Sequence, residues 1–133
     1  MYYIILVLFK DSIFDKVYYL SHYIFITHDI NQAASICEWF AVLYAGRIVE
    51  RGSREDVLAK PLHPYTRKLL DCVTMFSTEK GPRYIPGEPP DLRELPPGCA
   101  FASRCDQVGP ECREKTPVLE DRGNGHFVAC FKA

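Results

Sequence analysis

At 133 residues the chain has room for one modest core, or for two small units sharing a boundary. Its apolar and charged fractions, 47% and 25%, are those of an ordinary globular protein. With a net charge of -1 and charges of both signs interspersed, nothing calls for nucleic acid or an anionic membrane surface as a general partner.

Residues Met1 to Phe9 read MYYIILVLF, about half of the roughly 20 apolar residues that a bilayer-spanning helix needs. Nothing basic precedes the run, and Lys10 and Asp11 follow it, so a buried or half-buried strand is expected rather than a membrane-contacting segment or an export signal. Tyr23 to Thr27 is β-branched and aromatic, suited to a strand buried on both faces. Asp29 can cap a helix in which Ile30, Ala33, Ala34 and Cys37 recur at helical spacing. Phe40 to Tyr44 and Arg47 to Arg51 flank Ala45-Gly46 as a hairpin. Ser53 and Asp56 form a capping-box-like start to a short helix through Leu58 and Ala59, stopped by Pro61. Pro64 opens a further helix with Tyr65, Leu69, Leu70 and Val73 on its apolar side.

Near Thr78 the chain changes character, because eight of its ten prolines come later. Residues 1–73 are therefore expected to form a partial α/β unit, 74–81 a linker, and 82–133 an irregular extension. Strand, helix, hairpin, helix, helix is the order of an α/β layered domain with too few strands to complete one.

Several of these segments resemble one known family. Phe25-Ile26-Thr27-His28-Asp29 resembles the switch-histidine segment of ABC ATPases, and Val42 to Gly52 is similar to the strand pair that follows it. Pro61-Leu62-His63-Pro64-Tyr65-Thr66 resembles the signature of the oligopeptide and dipeptide importer branch. Pro86-Gly87, Pro89-Pro90-Asp91-Leu92 and Pro96-Pro97-Gly98-Cys99 continue as that branch's C-terminal extension does, ending at Cys130. No GxxxxGK phosphate loop occurs in the sequence, nor the family's Gln loop, Ser-Gly-Gly signature or acidic strand end. Asp11 lies only 17 positions before His28, too near to stand in for that acidic residue. The resemblance thus implies a truncated ATP-binding subunit whose fragment is inactive as an ATPase by itself. ATP and Mg²⁺ belong to the complete family protein.

Two sets of residues carry candidate chemistry. The resemblance makes His28 the switch histidine, whose imidazole would donate a hydrogen bond to a γ-phosphate, although here it has no phosphate loop to work with. The second set is Cys99, Cys105, Cys112 and Cys130, separated by five, six and seventeen residues. Four thiolates can close a tetrahedral zinc site or hold a 4Fe–4S cluster, and gaps wider than a two-residue knuckle lean towards the bulkier cluster. The resembling branch carries an iron–sulfur cluster on matching cysteines, while zinc, disulfides and plain thiols are the alternatives. Gly98 permits a tight loop at the first ligand, and Arg104 offers positive charge beside a cluster. His126, four residues before Cys130, is a weaker substitute ligand. His63 is expected to cap or pack rather than to ligate, and Glu88, Asp91 and Glu94 to form a solvated rim.

Two functions are implied. One is a truncated ATP-binding subunit of a peptide ABC importer, peripheral at the cytoplasmic face of the cell membrane beside permease subunits or a full-length ATPase paralogue. The other is a non-catalytic iron–sulfur or zinc module that docks on the transporter. Strands taken from a larger sheet leave edges that favour homo-oligomerisation or partner association.

Overall fold

A computed structural model describes residues 4–10, 22–74 and 84–133. Asp11 and, apart from Thr74, the expected linker lie outside the described residues. Strand β1 (Ile4–Lys10) is followed by β2 (His22–Thr27), helix α1 (Ile30–Ile36), β3 (Trp39–Tyr44), β4 (Arg47–Ser53), α2 (Arg54–Ala59) and α3 (Pro64–Thr74). The extension adds a 3₁₀ turn (Ala102–Arg104), α4 (Pro110–Glu114), β5 (Glu120–Asp121) and β6 (Phe127–Val128). The fold is mixed α/β, as expected.

Local signals account for most of these elements. Asp29 takes hydrogen bonds from the backbone N–H groups of Asn31 and Gln32 at 3.0 and 3.1 Å, satisfying donors that the first turn of α1 leaves open. Ser53 Oγ accepts from Asp56 N at 3.1 Å and donates to its carboxylate at 2.6 Å, starting α2. Tyr44 pairs with Arg47, so β3 and β4 join through Ala45 and Gly46 alone, with φ of 50° and 75°. Two left-handed residues match the twist of a two-residue hairpin. Gly46 adopts that conformation without cost, whereas Ala45 gives up roughly 1 kcal/mol for its Cβ.

All strands join one antiparallel sheet in the order β2-β1-β3-β4-β6-β5. The extension therefore adds to the same sheet, through Val128 opposite Glu50 and Phe127 opposite Arg51. The expectation that the Tyr23 to Thr27 strand is buried on both faces is corrected. Ile24 and Ile26 are each 62% exposed, while Phe25 between them packs on the core. Alternate side chains point to opposite faces, and among the described residues only one face of β2 has a layer over it.

The core lies between that covered face and the helices. Ile30 and Ala33 of α1, Cys37 just after it, Phe40, Val42 and Tyr44 of β3, and Tyr65 and Leu69 of α3 form one cluster. Ile85 and Phe101, from the extension, belong to the same cluster. Phe101 stands edge-on to Tyr44 at 5.1 Å between ring centroids and to Tyr65 at 5.4 Å, in geometries that aromatic rings favour. Phe101 lies two positions after Cys99, so this contact seats the cysteine segment on the α/β layers.

Candidate functional site

The four late cysteines come from four different stretches of chain. Cys99 precedes the 3₁₀ turn, Cys105 ends it, Cys112 sits on α4, and Cys130 follows β6. Their side chains line one cavity, whose wall also includes His63 and Phe101. Gly98 brings two of these stretches together: Cys99 N donates to Cys112 O at 2.8 Å, and a Cβ on Gly98 would run into the backbone of Cys112 and Arg113. All six cysteines of the chain lie among the described residues, and none is joined in a disulfide.

Each of the four sulfurs faces a backbone donor. Gln107 N lies 3.4 Å from Cys105 Sγ, Gly109 N 3.4 Å from Cys112 Sγ, and Lys132 N 3.4 Å from Cys130 Sγ, while Phe101 N–H turns on Cys99. In three of the four the donor is two residues beyond the cysteine, so the same local turn recurs. Such donors favour the charged thiolate. Burial opposes it and pushes the Cys99 and Cys105 thiols above their ordinary range, with the neighbouring cysteines adding to the rise. Four thiolates in one apolar cavity need a cation to hold them there. The donor set and its N–H groups fit a thiolate-bound metal group. Among the described residues no group of three or more His, Cys, Asp or Glu is placed to hold a single ion. A lone zinc would need its four sulfurs drawn to within about 3.8 Å of one another, given a Zn–S bond of about 2.3 Å.

The other candidate residues fall elsewhere. His28 is exposed at the end of β2, at the opposite edge of the sheet from β6. Four strand spacings separate those two strands, on the order of 20 Å, and His28 does not line the cavity of the four cysteines. Arg104 does not offer its charge to the cavity in the way its position suggested. Its guanidinium donates to Ile85 O at 2.7 Å, Pro86 O at 3.1 Å and Tyr44 Oη at 3.3 Å, because those carbonyls have no ladder partner of their own. Glu88, Asp91 and Glu94 are exposed, and Asp91 pairs with Arg93 at 2.7 Å.

A buried polar network, not legible beforehand, sits behind the cavity. Glu50 of β4 is wholly buried, yet it carries a carboxylate. Its Oε1 accepts from Leu62 N at 2.7 Å and lies 2.8 Å from His126 Nε2, and its Oε2 accepts from His63 N at 3.1 Å. One side chain thereby ties β4, the loop that leads into α3, and the turn before β6. His126, weighed above as a substitute ligand, has its Nε2 on this carboxylate. His63 Nδ1 accepts from Tyr65 N at 3.0 Å and caps α3, the role expected of it.

Burial, with the neighbouring Arg67 guanidinium second, pushes the His63 imidazole down to about 4. The unfolded chain takes up a proton at this histidine near pH 6.5, while the folded chain resists until about pH 4. The associated stability is thus complete above pH 6.5 and is lost as the pH falls through 4. We expect denaturation midpoints measured from pH 7 to pH 4 to record a loss of about 3 kcal/mol from this group, a loss that His63→Asn abolishes. A variant with an unchanged slope would contradict that assignment.

Comparison with known proteins places the same residues in a wider setting. Residues 49–112 match the family model described as the oligopeptide/dipeptide transporter C-terminal region. The chain is 46% identical over 111 residues to a probable peptide ABC transporter ATP-binding protein of Sinorhizobium fredii, covering 82% of this chain and 33% of that one. It is 43% identical over 110 residues to the oligopeptide transport ATP-binding protein OppD of Salmonella typhimurium, covering 82% and 32%. The dipeptide transport ATP-binding protein DppF of Haemophilus influenzae is 38% identical over 111 residues, covering 82% and 34%. The chain spans about a third of the length of these relatives, in their C-terminal part.

Proposed function

The chain belongs to the oligopeptide and dipeptide ABC transporter ATP-binding family, whose C-terminal region it carries, and on that premise we propose that it supplies that part of a peptide-import ATPase, braced by a thiolate-held iron–sulfur centre. The observation that carries this reading is the single cavity lined by Cys99, Cys105, Cys112 and Cys130, seated through Phe101 on β3 and α3.

In the whole protein, ATP hydrolysis would drive import of short peptides through permease subunits at the cytoplasmic face of the membrane. Within this chain, His28 is the residue that would serve that chemistry, as the resemblance to the switch histidine implies. It is exposed at a strand end, and Thr27 and Asp29 fix the backbone around it, with Asp29 N donating to Thr27 Oγ1 at 3.0 Å. An imidazole N–H held there can point at a γ-phosphate and stabilise charge that grows during its transfer. The sequence holds no glycine-rich phosphate cradle, so the present residues give nucleotide no tight site. Among the described residues no helix is long and apolar enough to cross a membrane.

A 4Fe–4S cluster is favoured over zinc because the gaps of five and six residues between Cys99, Cys105 and Cys112 are wider than the two-residue knuckle usual for structural zinc. Cys99, Cys105, Cys112 and Cys130 would hold it, and it would supply a crosslink among four stretches of chain. Such a brace is what a proline-rich segment with few large apolar residues needs. Anaerobic purification of the full chain, with iron, acid-labile sulfide and zinc analysis, is the test. About four irons and four sulfides per chain are expected. One zinc and no colour would overturn the cluster. Titration calorimetry with Mg-ATP should show no micromolar binding by the chain alone, and such binding would contradict the reading of its phosphate contacts.

A second reading, a non-catalytic module that docks on the transporter, is favoured by one observation. Edge strand β2 shows Ile24 and Ile26 to solvent. Co-purification with a permease subunit or a full-length ATPase paralogue supports docking, whereas a strictly monomeric chain that captures neither speaks against it.

A further inference from the structure

Most of the wall of the cysteine cavity is sulfur, proline, aromatic ring and methyl. Gln107 and Lys132 also border it, but both are exposed, and Lys132 Nζ is paired with Glu111 at 2.7 Å. His63 is different. Its side chain is 1% exposed, making it the buried nitrogen-bearing side chain of that wall.

Two contacts hold it there. Glu50 Oε2 takes the backbone N–H of His63, and Nδ1 takes the N–H of Tyr65. Because Nδ1 is an acceptor, the proton of the neutral imidazole sits on Nε2. The imidazole stays neutral across the physiological range, since burial disfavours its cation. That Nε2–H belongs to a buried ring that borders the cysteine cavity. A donor held against a cavity of thiols, with its other nitrogen committed to a helix cap, is arranged to meet an acceptor that enters the cavity.

We propose that His63 donates its Nε2 proton to a sulfur of the centre bound by Cys99, Cys105, Cys112 and Cys130, and so tunes its electronic state as a positioning residue outside the ligand set. This rests on the proposed iron–sulfur centre and adds a role for a residue that is not a ligand. Hydrogen bonds to cluster sulfurs stabilise the more negative, reduced form, and removing one lowers the reduction potential. The same side chain caps α3, so the start of that helix and the cysteine cavity are joined through one ring.

His63→Asn keeps an acceptor for Tyr65 N but is too short to reach into the cavity. The experiment compares the anaerobically purified chain and this variant by iron and sulfide analysis and by redox titration of the visible absorption. The expected result is wild-type iron content in both, with a midpoint potential shifted to more negative values in the variant. Equal potentials at equal iron content overturn the role of His63 and leave the centre intact. A wild-type chain without iron overturns both. Should the variant fail to fold, the wild-type chain prepared with ¹⁵N-histidine still decides the matter. Electron–nuclear double resonance of the reduced centre should show a histidine nitrogen coupling, and its absence overturns the proposal.

Discussion

Replacing Glu50 with alanine will destabilise the folded chain by about 3–5 kcal/mol, the range typical when one partner of a buried ionic network is removed. The carboxylate is wholly buried and serves the N–H groups of Leu62 and His63 together with the ring of His126. With alanine there, all three are left without an acceptor in a place that water does not reach, and each buried unsatisfied donor costs about 1–3 kcal/mol before relaxation. Glu50→Gln should be milder, at about 1–3 kcal/mol, since one carboxamide oxygen can serve only one side of the network and its NH₂ opposes the other donors. Urea denaturation at pH 7, with the slope held in check, is the measurement. A loss below about 1 kcal/mol for alanine would mean that the network is not what joins β4 to the His63 loop and the His126 turn.

Replacing Cys99 or Cys112 with serine should cost more than stability. Iron is expected to fall from about four per chain to a small fraction of one, because a cluster held by four thiolates loses both a ligand and a side of its cage. Cys99 and Cys112 are also the pair whose backbones meet beside Gly98, a contact that either serine variant leaves in place. The extension should then lose its brace, and limited proteolysis should cut within residues 84–133 while the α/β layers persist. Cys37→Ala is the control. That thiol is buried in the main cluster and is not part of the cavity wall, so iron content should not change. Serine variants that retain full iron and remain intact under protease would remove the cysteines from the centre.

The two predictions differ in what could have been foreseen. The grouping of cysteines late in the chain was visible at once, as were the caps at Asp29 and Ser53 and the two-residue turn at Ala45-Gly46. Nothing in the neighbourhood of Glu50 set it apart. It lies between Val49 and Arg51 in a hairpin strand, and no motif or spacing singled it out. Its partners stand 12, 13 and 76 positions away, so no periodicity within the strand could reveal them. Arg104 was misread for a related reason. Its distance from the cysteines in sequence is small, but the carbonyls of Ile85 and Pro86 reach it first.

The order and kind of the elements between Tyr23 and Val73 were decided by sequence alone, because caps, turns and hydrophobic periods act over three or four residues and are complete within the segment that carries them. By contrast, α4, β5 and β6 arise in residues 82–133, which were expected to be irregular. Tertiary structure alone decided which face of β2 is covered, where four separated thiols meet and which buried hydrogens Glu50 satisfies. Those outcomes depend on segments far apart along the chain, and whether a group loses its water is settled only when they come together.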